Sequence, residues 1–233
     1  MGGASTSYRT SAWGRSEQWL RGRGEYVRRM RFRTLLDTPG VVEHSILRSS
    51  FGFMAFHGGN LERTTDEIAA CAAERAGASL YTVTQPFPLR EHLPSSSVRA
   101  EESAPLAAFL AHVDVVIAVH GYGREGLWTS MLLGGSNRPL ARHLASHLRI
   151  RLPDFAAIDD LDEIPSELRG MHRDNPVNQP RLGGVQIELP PRVRGLTPHA
   201  ASFDRVDGRI PWTNALIEAF AAAATSWVSP ART

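Results

Sequence analysis

Lysine is missing from this chain. All 26 basic residues are arginine, a bias that fits GC-rich codon usage and by itself implies no partner. Cysteine is nearly missing too: the lone Cys71 excludes an internal disulfide framework and any thiolate-rich zinc site, so a metal here must be held by nitrogen and oxygen. Cys71 falls among alanines on one face of an expected helix and reads as a small buried hydrophobe. No apolar run is long enough to cross a bilayer, and the N-terminal residues lack the apolar segment of a secretory signal. The expectation is a soluble, cytoplasmic protein with no membrane partner. No repeat period is present. What is there, 233 residues that are 42% hydrophobic, suffices to bury one sizeable core.

Charge is unevenly spread. Up to Thr38 eight arginines stand against Glu17, Glu25 and Asp37, whereas from Pro39 onward 18 arginines face 21 acids. The basicity belongs to residues 1–38, read as a flexible or weakly helical arm ahead of a catalytic domain at 39–233. Met30 is an alternative start. Such an arm can touch nucleic acid or anionic lipid, and it faintly resembles an organelle presequence, against which Glu17 and Glu25 count. Nucleic acid is expected, if at all, only through the arm, because the body is mildly acidic and has no interleaved aromatic and basic pattern.

The body alternates strand and helix signals. Val41–Leu47 forms a short element, Phe51–Phe56 reads as a buried strand, and Thr64 to Glu67 has capping-box spacing ahead of a helix that Gly77 ends. Leu80–Val83 is the next strand, Ser103 caps a helix to His112, and the strand Val113–Val119 follows. This β-α-β-α-β order is that of a layered α/β sheet. Leu127–Leu133 is read as a strand, Asn137 as the N-cap of a helix at 138–149, and Asp159–Leu168 as a short surface helix. Val185–Leu189 alternates like a strand and is stopped by Pro190 and Pro191, and Ile210–Trp227 is the terminal helix.

Two apolar runs end on histidine: Phe51–Phe56 on His57, and Val113–Val119 on His120. Glu62 returns a carboxylate five residues after His57, and Gly58-Gly59 lets the chain fold back to bring it there. Two histidines and one carboxylate are the protein ligands of an open catalytic zinc site, and the carboxyl ends of neighbouring strands are where α/β sheets bind ligands. Taken singly, each histidine also reads as a hydrogen-bonded strand-end residue, and Glu62 as a solvated residue ahead of a helix. Together they favour a metal. Glu188 interrupts an apolar strand, with Gln186 on its face, and ionised carboxylates are rarely buried without a task; the alternative is an edge strand with its polar face in water. Arg192 and Arg194 follow within reach of a substrate carbonyl or carboxylate. His112, His143, His147, His172 and His199 lack strand-end contexts and read as surface or packing residues.

The motif His-Gly-Gly-x-x-Glu-x-x-Thr-x-Glu at 57–67, the apolar run into His120-Gly121, Leu133-Gly134-Gly135-Ser136-Asn137 and Gly184–Leu189 occur in one order over the body. In these the chain resembles the poly-γ-glutamate hydrolases of phages and bacteria. The resemblance implies a fold similar to zinc carboxypeptidases, an α/β domain with a mixed, mostly parallel sheet flanked by helices. It also implies Zn2+ on His57, Glu62 and His120, with Glu188 as catalytic carboxylate, and cleavage of γ-glutamyl amides. At Arg63-Thr64-Thr65 the chain departs from the family's Gly-Thr pair, which alters the loop beside the metal.

The expected reaction has zinc polarising the carbonyl and acidifying a water, Glu188 moving the proton, and Arg194 or Arg192 offsetting the oxyanion charge. A polyanionic or peptide-like amide substrate would be met by Arg63, Asn137, Arg138 and Arg192, with Arg124 a further possibility. The alternatives are a zinc amidohydrolase of the same fold acting on another acyl amino acid or cell-wall peptide, a phage-replication-related nucleic-acid-binding protein, or a metal-free interaction domain on an old enzyme scaffold.

Overall fold

The computed structural model describes residues 31–228. Residues 1–30, most of the expected arm, lie outside the described residues. The arm's last stretch is not a tail: helix α1, Phe32–Leu36, buries Phe32 and Leu35 completely, so the compact body starts at Phe32 and not at Pro39.

Strands follow at Val42–Ile46 (β1), Phe51–Gly59 (β2), Ser79–Gln85 (β3), Val115–Gly121 (β4), Ser130–Leu133 (β5), Ala156–Ile158 (β6) and Gly184–Leu189 (β7). Helices are Thr65–Ala76 (α2), Ala104–His112 (α3), Arg138–Arg151 (α4) and Pro211–Ser226 (α5). Among the described residues the seven strands make one sheet in the order β1-β3-β2-β4-β7-β5-β6. From β3 through β7 the neighbours run parallel, β1 and β5 join antiparallel, and β6 lies parallel to β5. The fold is thus the expected α/β class with a mixed, mostly parallel sheet flanked by helices.

Pleating divides the sheet's side chains between two faces. Phe53, Ala55, Ile117, Val119, Val185 and Ile187 pack against Ile68 of α2, Leu144 of α4 and Phe220 of α5 in the main core. The opposite face carries Met54, Val116, Ala118, His120, Gln186 and Glu188. There α3 covers the β3 side, its Phe109 ring 5.8 Å from that of Tyr81. Because both faces are covered, the central strands are apolar runs and not alternating ones. β7 lies between β4 and β5, which rules out the edge-strand reading of Glu188.

Local chemistry explains most boundaries. Ser103 Oγ accepts from Leu106 N at 3.0 Å and Asn137 Oδ1 from Leu140 N at 2.9 Å, the two N-caps expected for α3 and α4. Thr64 is not a cap: it sits at φ 74°, its hydroxyl makes no capping bond, and the capping box with Glu67 does not form. Thr65 Oγ1 donates instead to Glu62 O at 2.7 Å, tying the helix start to the loop that carries Glu62. The strand expected over Leu127–Leu133 is confined to Ser130–Leu133, because Leu127 N turns back to Arg124 O. The helix expected at Asp159–Leu168 is two 3₁₀ turns, Leu161–Glu163 and Ser166–Leu168, interrupted at Pro165, whose ring excludes a continuous ladder. No described helix is long and apolar enough to cross a membrane.

Candidate metal centre

His57 reaches the site through an irregularity. Strict alternation from Phe53 and Ala55 would point residue 57 into the helix-packed core. Between Ala55 and Gly58, however, β2 carries one more residue than its partner β3. This bulge turns His57 to the other face, where its ring lies 5.0 Å from that of His120, with Phe56 edge-on to both at 4.8 Å. Gly59 then adopts φ 67°, and a Cβ there would lie 2.3 Å from Gln85 O, so only glycine allows the turn that follows. The turn closes with Glu62 N donating to His57 O at 2.9 Å.

Glu62 sits between the histidines. Its Oε1 is 2.9 Å from His57 Nδ1, its Oε2 3.4 Å from His120 Nδ1, and Gly121 N donates to Oε2 at 2.8 Å. Burial pushes the Glu62 carboxyl upward, but the His57 and His120 charges and hydrogen bonds outweigh it and hold the group below the ordinary carboxylate range. One potential ligand atom from each of His57, Glu62 and His120 lies within 4.8 Å of the others.

The donor chemistry fits a cation. His57 Nε2 lies 2.9 Å from Leu93 O, which only accepts, so that nitrogen carries the proton. In the neutral ring Nδ1 then turns a lone pair toward a carboxylate oxygen. The contact becomes favourable when a positive charge, a metal ion or a second proton, lies between them. A histidine whose far nitrogen is held by a carbonyl is the usual arrangement of a metal ligand. His120 Nε2 is buried without a partner among the described residues.

Glu188 is the residue of β7 in register with His120 of β4. Burial pushes its carboxyl up to about 7; the Glu62 charge adds to this, while His120, Gln186 and Arg194 oppose it. All four residues open into a cleft of about 470 Å³. The loop after β3 lines it with His92 and Ser95, and the segment after β6 with Ser166, Glu167, His172 and Asn175.

The pattern matches a family. A sequence model described as poly-gamma-glutamate hydrolase matches residues 35–209. The chain belongs to that family. The solved structure of a bacteriophage poly-gamma-glutamate hydrolase superposes with a TM-score of 0.67 at 21% identity, over 80% of this chain and 90% of that one. A structure described as the zinc-free apo form of YndL gives 0.65 at 18% identity, over 82% and 92%. At these identities the likeness is one of fold. Against curated proteins the sequence has no match.

In this poly-gamma-glutamate hydrolase family member, the arginines expected at the substrate lie elsewhere. Arg194 is buried, donates to Leu189 O, Arg63 O and Tyr122 O, and does not line the cleft. The Arg192 guanidinium stacks on Trp212, 4.9 Å from the ring centre. Arg63 is exposed outside the cleft, and Asn137 is occupied as a cap whose amide donates to Leu182 O. Arg138 donates to Leu133 O, Gly135 O and Asp159 O and lines a separate groove with Arg142 and Asp160. For Arg138 and Arg194 some of the carbonyl acceptors lie far along the chain, at Asp159, Arg63 and Tyr122, and no sequence spacing reports that. His172, read as a surface or packing residue, lines the cleft, and so does His92, which sits in a Pro- and Ser-rich loop with no signal of its own. The His92 ring is 4.9 Å from that of His57, and burial, then the His57 charge, lower its pKa.

Proposed function

We propose that this chain is a zinc-dependent amide hydrolase that cleaves γ-glutamyl amide bonds of poly-γ-glutamate or a related amide. The observation that carries the reading is the cluster of His57, Glu62 and His120 in one cleft with Glu188, whose backbone is in register with that of His120. His57, Glu62 and His120 would hold the zinc, and a structural relative described as zinc-free in its apo form supports that choice of metal. When bound, zinc supplies Lewis acidity toward the carbonyl and lowers the pKa of a water.

The chain's own residues do the rest. Glu188 takes a proton from the attacking water and returns it to the leaving nitrogen, so it must be ionised when water attacks and protonated when the amine departs. A carboxyl with a pKa near neutrality is suited to both. Leu93 O holds His57 through Nε2, and Gly121 N holds Glu62 through Oε2, so the ligand set is oriented by backbone.

The reading is tested with protein purified without a metal-binding tag. One zinc per chain is expected, together with release of γ-glutamyl fragments and loss of that cleavage in Glu188→Gln with zinc retained. Hydrolysis at the parent rate by Glu188→Gln refutes the role of Glu188. A second reading, a short peptide-like or acyl amino acid amide as substrate, is favoured by the cleft's His92, Ser95 and Ser166 side chains, which suit neutral polar groups. A panel of amides separates the two by relative kcat/KM.

A further inference from the structure

A chain of side-chain amides runs from the cleft wall to Glu188. Asn175 Nδ2 donates to Gln186 Oε1 at 2.7 Å, and Gln186 Nε2 donates to Glu188 Oε1 at 2.9 Å. The three residues are 2%, 4% and 5% exposed, so water competes little for these bonds. Among the described residues no donor is hydrogen-bonded to Glu188 Oε2.

The chain has a direction, and backbone sets it. Asn175 Oδ1 accepts from Val177 N at 3.3 Å, while Asn175 Nδ2 also lies 3.3 Å from Gly170 O. The Asn175 amide therefore has one orientation, nitrogen toward Gln186. Gln186 must answer with its oxygen, which leaves its NH2 group for Glu188. A flipped Gln186 would oppose two NH2 groups at one end and press its oxygen against a carboxylate at the other. Gly170 completes the mould: it adopts φ 61°, and a Cβ there would lie 2.6 Å from Gln186 Oε1.

We propose that Asn175 and Gln186 are positioning residues for hydrolysis: they fix the rotamer of Glu188 by engaging Oε1 and leave Oε2 for the proton in transit. The inference rests on Glu188 being the base, as proposed above. An amide donor also favours the carboxylate over the carboxylic acid, so the pair counters part of what burial does to Glu188.

The test uses zinc-loaded full-length protein and an amide that the parent hydrolyses. Gln186→Leu removes the donor to Glu188 at similar volume. Asn175→Asp replaces the terminal donor by an acceptor and drives Gln186 to turn its oxygen on Glu188. Each is expected to lower kcat about 10- to 100-fold, the loss usual for a residue that orients a catalytic group, with KM and zinc content at parent values. A merely structural role would lower the melting temperature or the metal content and leave kcat per folded, zinc-loaded molecule unchanged; that result overturns the proposal. A readout independent of turnover is the exchange of the Gln186 side-chain NH2 protons with solvent, followed by NMR. Slow exchange in the parent that quickens in Asn175→Asp supports the chain, and fast exchange in the parent overturns it. Should Asn175→Asp fail to fold, Gln186→Leu and the parent's exchange still decide. Parent-rate hydrolysis by Glu188→Gln overturns the base assignment, whereas its loss there alongside parent-like kcat in Gln186→Leu overturns the amide pair alone.

Discussion

Glu188→Gln should stabilise the metal-free protein, and by an amount that depends on pH. Burial raises the Glu188 carboxyl from its ordinary 4.5 to about 7, so between those values the folded chain keeps a proton that the unfolded chain has released. Stability falls as pH rises wherever the folded state binds more protons. The contribution of Glu188 is therefore fully present below about pH 4.5 and lost as pH passes 7. At about 1.4 kcal/mol per pKa unit, the loss is on the order of 3 kcal/mol. Glutamine is neutral throughout, nearly isosteric, and retains a carbonyl oxygen to accept from Gln186 Nε2. For a protein of this size each kcal/mol moves the melting temperature by about 2–4 °C, so at pH 8 the gap between variant and parent should exceed that at pH 4.5 by roughly 6–12 °C. Thermal unfolding at both pH values, in chelator, measures it. A gap that is the same at pH 4.5 and pH 8 would refute the claim that Glu188 is held in the fold at a cost in stability. A carboxylate kept under that cost and lost to function on removal is one retained for chemistry.

Other perturbations separate framework from site. Arg194→Ala leaves Leu189 O, Arg63 O and Tyr122 O without their donor and should cost a few kcal/mol, roughly 3, in urea unfolding; a loss confined to KM with unchanged stability would return Arg194 to the substrate. Arg138→Ala, outside the cleft, should leave KM within error of the parent, and a large rise in KM would place substrate in the groove beside Asp159 and Asp160. Gly59→Ala meets both a left-handed φ and Gln85 O, so a loss of more than about 1 kcal/mol in stability is expected together with weaker zinc binding through displaced His57 and Glu62, read by titration with a competing chelator.

Much of the site was legible because polar residues stood where apolar periodicity demanded hydrophobes. His57 and His120 ended apolar runs in the same strand-then-His-Gly context, Glu62 followed a pair of glycines that lets the chain fold back, and Glu188 interrupted an apolar run, where the cost of burying a carboxylate argued for a task. The caps Ser103 and Asn137 were legible for a similar reason, since a helix start needs a local acceptor. The arginines were not. A guanidinium has five donors and a long stem, and its destination depends on which carbonyls the fold leaves open; for Arg138 and Arg194 those lie on other elements.

By itself, then, the sequence determined the α/β class, the strand-end histidines, the candidate carboxylates and the family, because these rest on periodicity, local hydrogen bonding and motif order. Tertiary structure alone decided which face each residue meets. One additional residue in β2 moves His57 out of the core and into the cleft, the placement of β7 between β4 and β5 brings Glu188 beside His120, and a loop folded over Gly170 orients Gln186. A bulge, a strand order and an amide's direction arise from contacts between segments far apart in the chain, and no local pattern records them.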